Sequence, residues 1–269
     1  MARPFLPGEP RAYRRRQIGS EERKVEWLGL RGKGALVAGA GGIGGAAALA
    51  LAEAGADVVV ADIDEERLGE LARPGVRTLV ADLSDATGAR DCVTRADALL
   101  GRLDVFVHAI GVNDRRPVLD TPDDVWRAIT AVNVDSAFRT GKAAGELMVA
   151  RGYGRIVFLS SVSGLLAHPH HAPYAAGKGA VNQLARVMAR EWAASGVTVN
   201  AVAPGYTETG LTHAHLEKPG VRDGLTALVP AGRLGTPEDL TGPILFLCSD
   251  QAAFVTGHVL YADGGRTLV

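Results

Sequence analysis

From Leu30 onward, short runs rich in Val, Leu and Ile alternate with longer stretches whose apolar residues recur at helical spacing. Ala35–Ala38, Val58–Ala61, Thr78–Ala81, Val105–Ala109, Ile156–Ser160 and Thr198–Val202 read as strands, with a seventh at His258–Ala262 ahead of the Asp263-Gly264-Gly265 turn. Gly44–Ala54, Asp64–Ala72, Ala86–Leu100, Pro122–Arg151 and Tyr174–Ser195 read as the helices between them. Strands that are apolar at nearly every position are covered on both faces, and their alternation with helices implies parallel pairing. The pattern therefore predicts an α/β fold, a doubly wound parallel sheet of about seven strands with helices on both faces. No repeat or linker interrupts residues 29–269, which are expected to form a single domain.

Residues 1–28 break the pattern. Pro4, Pro7, Gly8 and Pro10 forbid a continuous helix, and seven basic side chains, Arg14–Arg16 among them, face four acidic ones. No apolar segment follows the arginines, as an export signal requires, so this stretch is expected to be a basic arm lying on this or a neighbouring subunit. Three arginines make no groove reader, and the whole chain has a formal charge of −1, so no nucleic-acid partner is expected. No apolar run approaches the ~20 residues of a membrane helix. Cys92 and Cys248 are far apart without metal-ligand spacing, which fits a reducing, cytoplasmic setting. Hydrophobic residues at 47% and charged residues at 22% are ordinary for a globular protein.

The first strand runs directly into Gly39-Ala40-Gly41-Gly42-Ile43-Gly44 ahead of a helix. By spacing this is G-x-G-x-x-G at a first β-α turn, the Rossmann-type arrangement for a dinucleotide. Gly39 permits the turn, Gly41 lets backbone approach a pyrophosphate, and Gly44 allows close helix–strand packing. Main-chain N–H groups, those of Gly42 and Ile43 included, then hold phosphate at the helix N-terminus. Asp62 ends the second strand, where a carboxylate accepts from ribose hydroxyls and repels a 2′-phosphate. NAD is therefore expected over NADP. Asp82, with Leu83 beside it, is a candidate for the adenine edge.

Ser161 ends the fifth strand, and Tyr174 and Lys178 stand at i and i+4 on one helix face. A tyrosine is a useful acid or base only if its pKa of ~10 is lowered, which a nearby ammonium can do. Together with the glycine loop, these residues resemble the short-chain dehydrogenase/reductase family over nearly all of residues 30–265. The family's Tyr-x-x-x-Lys matches Tyr174 and Lys178, its serine Ser161, and its catalytic asparagine Asn133 in Ala131-Val132-Asn133-Val134. Its Pro-Gly turn matches Pro204-Gly205, after which Thr207 and Thr209 correspond to residues that touch the nicotinamide carboxamide. Two departures stand out. The glycine loop is one residue shorter than Thr-Gly-x-x-x-Gly-x-Gly, with Ala38 for Thr. His108-Ala109-Ile110-Gly111 replaces Asn-Asn-Ala-Gly; Ala109, Ile110 and Gly111 can still pass beside the cofactor, while His108 is expected to replace a structural hydrogen bond of the Asn.

The resemblance implies hydride transfer between NAD(H) and a secondary alcohol or ketone. Tyr174 exchanges the proton, Lys178 lowers the tyrosine pKa and holds the nicotinamide ribose, and Asn133 supports a relay water. No metal is required: the histidines at 168, 170, 171, 213 and 215 lack a carboxylate or thiolate at ligand spacing. Their polarity suggests a polyol, a sugar acid or another small hydroxylated substrate, and Arg115 and Arg116 stand where an anionic group could be met. The loop after the Pro-Gly turn corresponds to the family's mobile lid. A 3-oxoacyl thioester reductase is the alternative, and a non-catalytic NAD-binding sensor or scaffold is a reading of another class. A homo-oligomer is expected, a tetramer before a dimer; the stripe Val181, Leu184, Met188 and Trp192 suits an interface or an internal core equally.

Overall fold

The computed structural model describes residues 27–269, so the expected basic arm lies almost wholly outside the described residues. Seven strands form one parallel sheet: β1 (Gly34–Ala38), β2 (Asp57–Asp62), β3 (Val76–Val80), β4 (Val105–His108), β5 (Gly154–Leu159), β6 (Val197–Pro204) and β7 (Val259–Ala262). Their order is β3-β2-β1-β4-β5-β6-β7. The chain builds outward from β1 to β3, then returns to start the other half at β4. The carboxyl ends of β1 and β4 therefore flank the crevice where doubly wound sheets bind ligands.

Alternation along each strand divides the core in two. Leu36, Val59, Phe106, Ile156, Phe158 and Val199 pack on α3 (Ala86–Leu100), α5 (Ser136–Arg151) and α6 (Ala172–Trp192). Val37, Val58, Val60, Val107 and Val157 pack on α1 (Gly42–Glu53), α2 (Glu65–Leu71) and α9 (Pro237–Cys248). Fully buried side chains such as Leu51 and Ile244 would each cost about 2–5 kcal/mol on truncation to alanine. In the α6 stripe, Val181 and Met188 are buried and Leu184 and Trp192 pack against the same cluster. The stripe thus belongs to this subunit's own core.

The expected single helix Pro122–Arg151 is instead α4 (Asp123–Thr130), a π-helical turn at Ala131–Asp135, and α5. Apolar periodicity does not register a one-residue widening of a helix. Two short helices after β6, α7 (Gly210–Leu216) and α8 (Val221–Thr226), and the longer α9 were not apparent from periodicity. β3 begins two residues earlier than the apolar run suggests, and Val80 at its end is exposed because β3 is an edge strand. No helix among the described residues is long and apolar enough to cross a membrane.

Candidate active site

The glycine loop is shaped for close approach. Gly39 has φ +106°, and its N–H donates to the Ala61 carbonyl at 2.7 Å. A Cβ on Gly44 would lie 2.0 Å from the Gly39 carbonyl oxygen and 3.0 Å from the Ala109 methyl, so no side chain fits there. Gly41 caps α1 with no side chain, and the first turn carries no acid. The N–H groups of Gly42 and Ile43 have no partner among the described residues. Unpaired amides at the positive end of a helix dipole suit a phosphate. A Cβ on Gly42 would meet Thr209 at 3.1 Å, so Thr209 faces the loop across the crevice.

Asp62 ties this end together. Its Oδ2 accepts from the Ala40 N–H at 2.7 Å and its Oδ1 from the Asp64 N–H at 3.0 Å. The helix cap itself is Asp64, which accepts from the Arg67 N–H at 3.1 Å. The loop carries no base of its own, but α2 delivers one that sequence spacing did not reveal. Arg67 pairs with Asp64 at 3.0 Å, and its Nη1 stands 3.5 Å from where a Gly41 Cβ would be. Asp82 Oδ1 accepts from the Ser84 hydroxyl at 2.6 Å and N–H at 2.9 Å, which lowers its pKa; the Leu83 side chain is in the core.

At the head of β4, the Ala109 N–H donates to the Ala38 carbonyl at 2.7 Å and leads through Ile110 to Gly111. A Cβ on Gly111 would sit 3.4 Å from Lys178 Nζ and 3.7 Å from Asn133 Oδ1. Asn133 is fully buried within the π turn. Its Oδ1 accepts from the Val112 N–H at 2.8 Å and its Nδ2 donates to the Val112 carbonyl at 2.9 Å. His108 lies behind this turn, its Nε2 2.8 Å from Ser136 Oγ. Ser136 donates to the Val132 carbonyl, so His108 must donate to Ser136. Burial, with Lys178 nearby, pushes the His108 pKa down to about 3. The expected structural bond at this position is thus present, directed at the π turn.

Ser161 follows β5, and its Oγ accepts from the Ser163 N–H at 3.1 Å. Lys178 Nζ donates to the Leu159 carbonyl at 2.7 Å and stands 5.7 Å from the Tyr174 ring centre. Burial raises the Tyr174 pKa; Ser161 and the Arg115 guanidinium pull it the other way. The opposing charge comes from Arg115, where the sequence pointed to Lys178. Burial lowers the Lys178 pKa itself to about 8.

Ser161 and Tyr174 line a cavity of about 250 Å³ together with Asn113, Arg115, His168 and His171, His215 and Leu216 of α7 and Leu225 of α8. Pro204 ends β6, and the Gly205 N–H donates to the Ala262 carbonyl at 3.2 Å. Thr207 is buried and donates to the Gly205 carbonyl at 3.2 Å, while Thr209 caps α7 in a reciprocal box with Thr212. His168 bridges Ser163 Oγ at 2.8 Å and the Tyr206 hydroxyl at 3.2 Å. His170 and His213 do not line the cavity. Among the described residues no three metal-ligating side chains cluster. A larger cavity of about 400 Å³, beside β7 and the start of α9, reaches neither Ser161 nor Tyr174.

Comparison with known proteins decides the family. A family model described as enoyl-(acyl carrier protein) reductase matches residues 37–267. The chain is 40% identical over 246 residues to galactitol 2-dehydrogenase (L-tagatose-forming) of Cereibacter sphaeroides, covering 89% of this chain and 96% of that protein. It belongs to the short-chain dehydrogenase/reductase family. A second member, the 3-oxoacyl-[acyl-carrier-protein] reductase of Escherichia coli, is 34% identical over 246 residues, which is 90% of this chain and all of that one. The crystal structure of a gluconate 5-dehydrogenase from Burkholderia cenocepacia in complex with NADP and tartrate superposes with a TM-score of 0.85. It shares 38% identity and covers 89% of this chain and 96% of that one. The seven-stranded sheet, the shortened glycine loop and His108 are thus features of an oxidoreductase of this family.

Proposed function

We propose that the chain interconverts a polar secondary alcohol and its ketone with NAD(H), using Asn133, Ser161, Tyr174 and Lys178. The observation that carries this is the meeting of Ser161 and Tyr174 at one cavity, with Lys178 and Asn133 both close beside Gly111. The unpaired amides of Gly42 and Ile43 and the side-chain-free approach at Gly39, Gly41 and Gly44 fit a dinucleotide diphosphate. Asp62 has lone pairs left for the adenosine ribose, and Asp82 and Leu83 border the adenine side. Ala109, Ile110, Gly111, Pro204, Gly205, Thr207 and Thr209 surround the nicotinamide half.

When bound, the nicotinamide supplies the carbon that accepts or returns a hydride. The chain's own groups hold the reacting oxygen and move its proton. Ser161 donates a hydrogen bond to that oxygen. In oxidation Tyr174 Oη takes the hydroxyl proton, and in reduction it returns one. Burial favours the protonated phenol that reduction needs, while Ser161 and Arg115 bring the phenolate within reach for oxidation. Lys178 holds the nicotinamide ribose, and Asn133 fixes Val112 and the strand-end loop beside the reacting centre. Positioning and one proton transfer suffice for this chemistry.

The test is a spectrophotometric screen of NADH-linked turnover across polyols, sugar acids, cyclic ketones and 3-oxoacyl thioesters. Turnover of hydroxylated substrates is the expected result. Turnover confined to thioesters would favour the second reading, for which the 34% identity to the Escherichia coli reductase speaks.

A further inference from the structure

Arg115 and Arg116 are consecutive, yet they are held in opposite ways. Arg116 is clamped by Asp114, with Nε to Oδ1 at 2.7 Å and Nη2 to Oδ2 at 2.5 Å. Arg115 turns into the cavity that holds Ser161 and Tyr174, and among the described residues no carboxylate pairs with it. Its hydrogen-bonding partner there is His171, with Arg115 Nε donating to His171 Nε2 at 3.1 Å.

The tautomer of His171 follows from its other nitrogen. Nδ1 lies 2.8 Å from the Pro169 carbonyl, which can only accept, so Nδ1 carries the proton and Nε2 is a bare acceptor. His171 therefore aims the guanidinium without neutralising it, and among the described residues neither Nη group of Arg115 has a partner. Asn113 and His215 also line the cavity, and Asn113 Oδ1 and His215 Nδ1 are buried without a partner among the described residues. Among the described residues no aspartate or glutamate lines the cavity. Buried polar atoms without partners and a partly buried cation without an anion mark a place completed by a ligand.

We infer that this cavity is a carboxylate-recognising subsite and that the substrate is a polyhydroxy acid or its keto acid, with the carboxylate on Arg115 and a hydroxyl on Asn113. A planar guanidinium fixed at Nε presents its Nη edge to both oxygens of a carboxylate, which a neutral polyol cannot exploit. His215, delivered by α7, meets the far hydroxyls of the chain. The inference rests on the alcohol–ketone chemistry proposed above and narrows its substrate class.

The test titrates gluconate and galactitol calorimetrically into the full chain loaded with NADH, where an alcohol binds but cannot be oxidised. Wild type is expected to bind gluconate at least tenfold more tightly than galactitol. Arg115→Met should erase that preference, and Arg115→Lys should keep part of it. NADH affinity of each variant serves as the check that it has folded, and loss of the gluconate preference in high salt gives a second measurement on wild type alone. Equal or tighter binding of galactitol by wild type, or an undiminished gluconate preference in Arg115→Met, would overturn the assignment. Its failure is separable from that of the chemistry. If Tyr174 is essential for turnover but galactitol is preferred, only the carboxylate subsite falls. If Tyr174→Phe turns over normally while gluconate binding still needs Arg115, only the proton-transfer role falls.

Discussion

His108 Nε2 donates to Ser136 Oγ at 2.8 Å, and Ser136 passes the bond on to the Val132 carbonyl inside the π turn that holds Asn133. The link joins the end of β4 to the one wide turn in the α4–α5 helix. Losing a buried partner of this kind costs about 1–3 kcal/mol. His108→Ala should therefore lower the urea midpoint and reduce kcat more than it raises the KM for NADH. Wild-type kcat and stability in that variant would show that the link has no part in holding Asn133.

The same residue makes stability depend on pH. The His108 pKa is about 3 in the folded chain against an ordinary 6.5. Below pH 6.5 the unfolded chain takes up a proton that the folded chain refuses, so this contribution is full above 6.5 and is lost as pH falls toward 3. The limiting slope is about 1.4 kcal/mol per pH unit. Urea unfolding at pH 7 and pH 5 should show wild type losing more stability than His108→Asn. Equal losses in the two proteins would contradict a buried neutral imidazole.

Tyr174→Phe removes the group proposed to exchange the substrate proton and leaves the glycine loop untouched. NADH binding, measured by fluorescence, should persist, while turnover falls by about 10²–10⁴-fold, the usual worth of general acid–base catalysis. Near-normal rates would refute the proton role.

Cofactor choice pits Asp62 against Arg67. The carboxylate repels a 2′-phosphate, while the guanidinium beside Gly41 attracts one, its charge offset by Asp64. The expected outcome is a higher kcat/KM with NAD than with NADP, and a wider gap in Arg67→Ala. A preference for NADP in wild type would reverse the role given to Asp62.

Much of this was legible along the chain, because strand alternation, the glycine spacing and Tyr174 with Lys178 at i and i+4 are local patterns. What stayed hidden depends on groups brought together by the fold. Arg115 and Arg116 look alike in sequence, and only the position of Asp114 and His171 separates the clamped guanidinium from the open one. Arg67 reaches the glycine loop from a different helix. The π turn was invisible because its residues, Ala131–Asp135, are as compatible with an α-helix as their neighbours.

That turn also takes up one residue without changing the phase of the helix that follows. Each residue of an α-helix advances the side chains by about 100°. A wide turn spends one extra residue on nearly the same rotation, so deleting one residue between Ala131 and Asp135 to restore regular winding would leave Ala143, Ala144 and Met148 buried on the sheet while removing the local widening that carries Asn133 to Val112. The extra residue acts as a local spacer: it lets Asn133 bind Val112 while α5 still presents its apolar side to β4 and β5.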